Sequence, residues 1–153
     1  MKNRTKKGFT LIEIIIFVIV LSVFFIMVFQ MSTASLATLK TNERRLYATR
    51  YAEEMLEWLS AEKEGDWEGA FLPKAVSATP TIYCFNSDLT TWPSFGACPS
   101  YSLNGLYKRE VALSRQANTT PGDYQVTAVI TVSWQQGSGV MSVPVTTIYN
   151  RYE

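Results

Sequence analysis

Hydrophobic and polar positions divide this chain into stretches with different periods. From Ile14 to Phe29 there is no period, because every residue except Ser22 is apolar. Counted from Phe9 to Phe29 the run holds 21 residues, about 31 Å as a helix, enough to cross a bilayer core. Lys2, Arg4, Lys6 and Lys7 precede it, so its carboxyl side is expected to face away from the cytoplasm. One carboxylate, Glu13, lies in this segment, where hydrocarbon makes an unpaired acid costly. A plain anchor or an uncleaved secretory signal would explain the run but gives Glu13 no role. A cleavable secretory signal would need a small-x-small site, and Met31–Ser35 offers only a weak one.

After the run the period becomes helical. Residues 30–39 are small and mildly polar, with neither glycine nor proline. One helix is therefore expected from near Phe9 to about Ala61, roughly 80 Å long. Ala48, Ala52, Met55, Leu56 and Leu59 recur at spacings of three and four and mark the face that seats on a sheet. Arg50, Glu53, Glu54 and Glu57 lie largely off that face, with Arg50–Glu54 an expected i,i+4 pair. Tyr47, Tyr51 and Trp58 either wrap the sheet or face other subunits. The acidic cluster Glu62–Gly69 is expected to end the helix in a solvated turn, with Gly65 as a left-handed cap. The order of its acids matches no EF-hand loop.

The last third alternates with period two. Leu106–Ser114 reads as a strand despite Lys108-Arg109-Glu110. In 124–134 one face carries Tyr124, Val126, Ala128, Ile130, Val132 and Trp134. Gln135–Gly139 is the turn, and Met141, Val143, Val145, Thr147 and Tyr149 line one side of the return strand. Pro144 has no amide donor, so that strand belongs at an edge or is interrupted. The expected fold class is α+β: a long amino-terminal helix on an antiparallel meander of three or four strands. Between helix and meander, Phe71–Gly105 is a proline-punctuated, aromatic-rich insert with room for a short strand at Thr81–Phe85. Trp92–Gly96 either presents an aromatic contact surface or belongs to a small core of the loop itself.

Composition narrows the chemistry. The 153 residues suit one small domain plus one long helix. Histidine is absent, which removes the commonest general base and zinc ligand. The formal charge of +1 is concentrated in residues 1–8; without them ten basic side chains face 13 acidic ones. That balance argues against direct nucleic-acid binding, although Lys108, Arg109 and Arg115 could form a local patch. Cys84 and Cys98 lack redox-motif spacing, and in an exported chain they are expected to form a disulfide. Its loop of 13 intervening residues gives about 3 kcal/mol by the chain-entropy estimate. No catalytic, cofactor or metal site is expected, because nothing makes Asp88, Glu110 and Asp123 converge.

The stretch Lys6-Lys7-Gly8-Phe9-Thr10-Leu11-Ile12-Glu13 resembles the leader and mature start of type IV prepilins and pseudopilins. The resemblance implies a leader at 1–8 and cleavage between Gly8 and Phe9 by a prepilin peptidase. It also implies methylation of the Phe9 amine and an assembly role for Glu13 opposite a neighbour's Phe9. Residues 9–30 then form the membrane and filament-core helix. Residues 31–153 form the amphipathic half-helix and the sheet domain, with a loop closed at 84–98. The implied partners are other pilin or pseudopilin subunits, the membrane, and an inner-membrane assembly platform with its ATPase. Localisation follows: first the cytoplasmic membrane, with the carboxyl-terminal domain outside the cytoplasm, then a pilus or an envelope filament.

Many major pilins carry a proline in or just beyond the anchor, and this chain does not. Ala52-Glu53-Glu54-Met55-Leu56-Glu57 and the strand end Val132-Ser133-Trp134 resemble V-type minor pilins and I-type minor pseudopilins. The resemblance thus implies a non-enzymatic minor pilin, with a minor pseudopilin of a type II secretion or DNA-uptake system as the alternative.

Overall fold

The computed structural model describes residues 10–118 and 122–151. Helix α1 spans Leu11–Gly65, and two compact units divide between Glu43 and Arg44. In the first unit the helix is rich in Ile and Val, which lose side-chain freedom in a helix. Hydrocarbon reverses that preference, because only intrasegment hydrogen bonds satisfy the backbone there. Every side chain from Leu11 to Leu39 is exposed in the single chain. By length and composition the apolar part is able to cross a membrane.

The second unit packs the rest of α1 on a four-stranded antiparallel sheet of order β1-β2-β3-β4. The strands are β1 (Thr81–Cys84), β2 (Tyr107–Ala117), β3 (Tyr124–Gln136) and β4 (Gly139–Tyr149). All neighbours are joined in sequence order as a meander. Ala48, Ala52, Met55 and Leu59 are fully buried, while Leu56 is half-buried. The two alanines add little bulk where the helix meets the sheet, and Met55 and Leu59 fill the space further along. Facing them are the inward residues of β2 and β3, including Val111, Leu113, Val126, Ala128, Ile130 and Val132. Pro144 lies on β4, an edge strand, where a missing amide donor is tolerated. The β3–β4 turn needs only Gly137 and Ser138, with Gly137 supplying a φ of 61°.

The structure corrects several expectations. The helix continues four residues past Ala61, and Gly65 does not adopt a positive φ. Instead Asp66 turns extended, at φ −156° and ψ 92°, and its carboxylate accepts from the Gly69 N–H at 2.8 Å. That bond caps a π-helical turn, Trp67–Phe71, so the cluster is a structured turn and Phe71 is buried. A Cβ at Gly69 would collide with the capping carboxylate of Asp66, so a larger residue there would have to push that carboxylate aside. Arg50–Glu54 is not an ion pair, since Glu54 bonds Arg109 instead.

The insert divides between the two readings offered for it. Trp92 packs inward, with ring centroids 5.1 Å from Trp58, 5.5 Å from Tyr83 and 5.7 Å from Phe85. Its Nε1–H donates to Glu62 on α1 at 2.8 Å. The loop's aromatic cluster is therefore built jointly with the helix. Phe95 is 80% exposed.

Two predictions follow from this core. Met55→Ala or Leu59→Ala should each cost about 2–5 kcal/mol in denaturant unfolding of the detergent-solubilised chain. Leu46→Ala, at an exposed position, should stay within about 0.5 kcal/mol of the parent. The second concerns alkali. Burial raises the phenols of Tyr83 and Tyr149 above their ordinary value of 10.0. Tyr83 donates to the Lys74 carbonyl at 2.9 Å, and Tyr149 lies 3.4 Å from both Ser60 Oγ and the Leu56 carbonyl. A raised acid pKa means that the unfolded chain loses its protons first as pH rises. Stability from these groups should be complete below pH 10 and fall above it, and Tyr83→Phe/Tyr149→Phe should flatten that fall.

Candidate assembly site

At the start of α1, Thr10 stands at the N-cap and Glu13 three residues on. The Glu13 Oε2 accepts from the Thr10 N–H and the Thr10 hydroxyl, each at 3.3 Å. This is the return half of a capping box, and it places a negative charge where the helix end carries partial positive charge. Glu13 is thus held near the helix start on exposed backbone. Gly8 and Phe9, the expected processing pair, lie outside the described residues.

Beyond Glu13 four of the helix's hydroxyls turn back onto its own backbone. Ser22 donates to the Val18 carbonyl at 2.7 Å, and Thr33 donates to the Gln30 carbonyl at 3.0 Å. Thr38 and Thr41 donate to the carbonyls of Ala34 and Ala37. A hydroxyl turned onto its own helix needs no outside partner, which suits a segment covered by lipid or by other helices.

In the second unit the determining residue is Arg109, which is 2% exposed. Its place follows from strand alternation: Tyr107, Arg109, Val111 and Leu113 share the inward face of β2. Nε donates to the Phe85 carbonyl at 3.1 Å, and Nη2 to the Ser87 carbonyl at 3.4 Å. Nη1 reaches the Tyr51 carbonyl on α1 at 3.2 Å and Glu54 Oε2 at 3.1 Å. Burial lowers the guanidinium pKa, and the Glu54 carboxylate works against that shift.

The same loop is tied at its other end. Cys84 and Cys98 form a disulfide. The Cys98 N–H donates to Glu110 at 2.8 Å, and Asn86 accepts from the Arg109 N–H while donating to the Ser100 carbonyl.

These contacts decide other sequence-based readings. Arg109 is turned inward, Lys108 pairs with Glu110 at 3.2 Å, and Arg115 donates to the Val76 carbonyl beside the Tyr124 ring. Arg109 is thus withdrawn from the local patch considered for DNA, while Lys108 and Arg115 are half-buried and each has a partner within the fold. Glu110 and Asp123 each have a different partner, Asp123 accepting from Asn118 at 2.8 Å. Among the described residues no three His, Cys, Asp or Glu side chains group to hold a metal. Sequence reasoning missed the Arg109 hub, although its place among the inward residues of β2 was a readable signal.

A family model described as the prokaryotic N-terminal methylation motif matches residues 3–29. The match supports a structural subunit of the pilin or pseudopilin kind, with membrane anchoring through the amino terminus. Neither the curated proteins nor the solved structures contain a match to this chain.

Arg109→Ala should lower stability by about 3–5 kcal/mol, because the carbonyls of Phe85, Ser87 and Tyr51 lose their donor. Glu54→Gln should cost no more than about 1 kcal/mol, since the Glu54 side chain is 57% exposed and screened by water. Unfolding of both variants in detergent, with proteolysis of the 84–98 loop as a second readout, checks the contrast.

Proposed function

We propose that this protein is a minor pilin, a low-abundance subunit incorporated into a type IV pilus or priming its assembly. The observation that carries the reading is the amino-terminal motif, in which lysines, Gly8, Phe9 and Glu13 precede an apolar helix of spanning length. In this reading a prepilin peptidase cuts after Gly8 and the new Phe9 amine is methylated. The helix holds the precursor in the membrane until the assembly platform and its ATPase lift it into a filament. Lipid tails are as apolar as the helix surface, so selectivity among helices rests on packing shape and polar contacts. Glu13 supplies one such contact, to the Phe9 amine of a neighbour. Breaking that pair strands a charge away from water, which makes it a register device more than a source of net stability. The role is mechanical and non-enzymatic.

The uninterrupted α1 favours a minor over a major pilin, because no proline or glycine loosens the helix before Gly65. A minor pseudopilin of a secretion or DNA-uptake system shares the same anchor and is the second reading. The engagement of Lys108, Arg109 and Arg115 within the fold counts against direct DNA contact.

Mass spectrometry of sheared filaments against membranes tests the proposal. A methylated peptide beginning at Phe9, present in filaments far below the dominant pilin, is the expected result. Dominance in the filament would make the chain a major pilin, and confinement to the membrane would favour the pseudopilin. Glu13→Gln should leave cleavage intact and remove the chain from filaments. Gly8→Val should leave the precursor uncut.

A further inference from the structure

We propose that the tip of the β3–β4 hairpin, together with Arg44 and Arg45, docks on the anionic lipid surface of the membrane that holds the precursor. This rests on the membrane anchoring of the pilin reading, to which it adds a lipid-facing end of the sheet domain. From Tyr124 to Asn150 no side chain is charged, although 18% of the whole chain is. The stretch includes β4, an edge strand, where exposed charge is a common guard against unwanted pairing. At the tip Val140 is 61% exposed and Met141 46%, and Gln135, Gly137, Ser138 and Gly139 are exposed as well. A neutral tip with two apolar side chains can enter the headgroup layer without bringing an acid against lipid phosphate.

Contacts within the second unit fix the tip beside Arg44. The Arg44 Nη1 donates to the Gln135 carbonyl at 3.4 Å, and Gln135 pairs with Val140 across the ladder. The Tyr107 hydroxyl donates to the Arg44 carbonyl at 3.2 Å, and its ring lies 6.0 Å from Trp134 at the base of the tip. The hairpin tip therefore belongs to the end of the domain where α1 enters it.

Chain length brings that end to the lipid surface. No residue between Glu13 and Lys40 is charged. These 26 residues span about 39 Å as a helix, against about 40–45 Å for a bilayer with its headgroup layers. Lys40, Arg44 and Arg45 are the first cations beyond the span, with Glu43 the one acid among them. Arg45 is exposed, and among the described residues its guanidinium has no hydrogen bond or ion pair. Cations at this height attract anionic headgroups, an attraction that fades within a Debye length. The span keeps the tip close to lipid at all times, so even a weak contact is populated. The contact lasts only while the chain is in the membrane and is given up when the helix is lifted out.

Fluorescence quenching by lipid tests the docking. The full-length chain, whose own cysteines are bonded to each other, receives Val140→Cys and an environment-sensitive label. It is reconstituted in nanodiscs of phosphatidylcholine, alone or mixed with phosphatidylglycerol, that contain spin-labelled lipid. A label at Gln116→Cys, exposed at the opposite end of β2 from Tyr107, is the reference. Quenching at 140 should exceed that at 116 in the mixed lipid, and should fall in phosphatidylcholine alone or in high salt. One cation near an anionic surface shifts such an equilibrium roughly fivefold, so Arg45→Gln should lower the docked-to-free ratio by about that factor. Equal quenching at 140 and 116, or quenching at 140 that ignores both lipid charge and Arg45, would overturn the proposal. So would a label at 140 that is shielded only when other pilin-type subunits are added, which would make the tip a protein interface. A label at Phe24→Cys, inside the apolar run, separates the two levels of failure. Lipid quenching at 24 without it at 140 sinks the docking alone, whereas none at 24 sinks the anchoring as well.

Discussion

A guanidinium that leaves water needs an acceptor for its N–H groups, and Arg109 finds acceptors in two separate parts of the fold while standing on a third. Phe85 and Ser87 belong to the disulfide-closed loop, Tyr51 and Glu54 to α1, and Arg109 itself to β2. A buried ion pair alone is weak evidence of stability, because desolvation offsets much of the attraction. The arrangement here differs in that three of the four acceptors are backbone carbonyls, fixed by the course of the chain. The side chain therefore specifies where loop, helix and strand sit relative to one another. The loop has 13 residues between its cysteines and little regular structure. Without those carbonyl contacts and the Asn86 bridge, the disulfide would close a ring but leave its path undefined.

The aromatic cluster depends on that path. Trp92 contacts Trp58 on α1, Tyr83 on β1, Phe85 just after it, and Phe71 on the turn after the helix. Such contacts contribute beyond their buried area only when the rings hold defined angles. The loop's Trp92 is tied to the last turn of α1 by its bond to Glu62. A stretch that reads as a polar helix end thus becomes part of a core. Lys74 adds a cation 5.6 Å from the Trp92 ring, so the edge of the cluster is polar where it meets water.

Much of this was legible in the sequence where one period dominates. The alternation in β3 identified Val126 to Trp134, and the three-four spacing identified Ala48, Ala52, Met55 and Leu59, because burial on one face leaves a direct imprint on residue choice. The end of α1 was not legible in the same way. Gly65 looks like a cap, yet the helix ends through Asp66, whose side chain found the Gly69 amide. That choice depends on Phe71 and Trp67 having a core to enter, which no local pattern records. Arg109 was misread for a related reason. A charged triplet in a strand suggests a solvated face, while the acceptors that make its burial affordable lie 22 to 58 residues away. The Arg50–Glu54 pair failed because Arg109 competes for the same carboxylate from outside the helix.

The amino-terminal unit obeys a different constraint. Among the described residues its side chains from Leu11 to Leu39 are all exposed, so the sequence there follows the needs of an apolar span and not of a core. Each hydroxyl from Ser22 to Thr41 with a resolved bond turns back onto its own helix, as expected of a surface meant to be covered. Glu13 alone keeps a carboxylate on that surface, and its contacts to Thr10 at 3.3 Å are long for hydrogen bonds to an ionised acceptor. They hold the acid at the helix start without fully satisfying it. A carboxylate so placed, on a stretch otherwise apolar from Leu11 to Leu21, keeps acceptor capacity to spare. The sheet domain has settled its buried charge internally through Arg109, whereas the anchor keeps its one carboxylate exposed in the single chain.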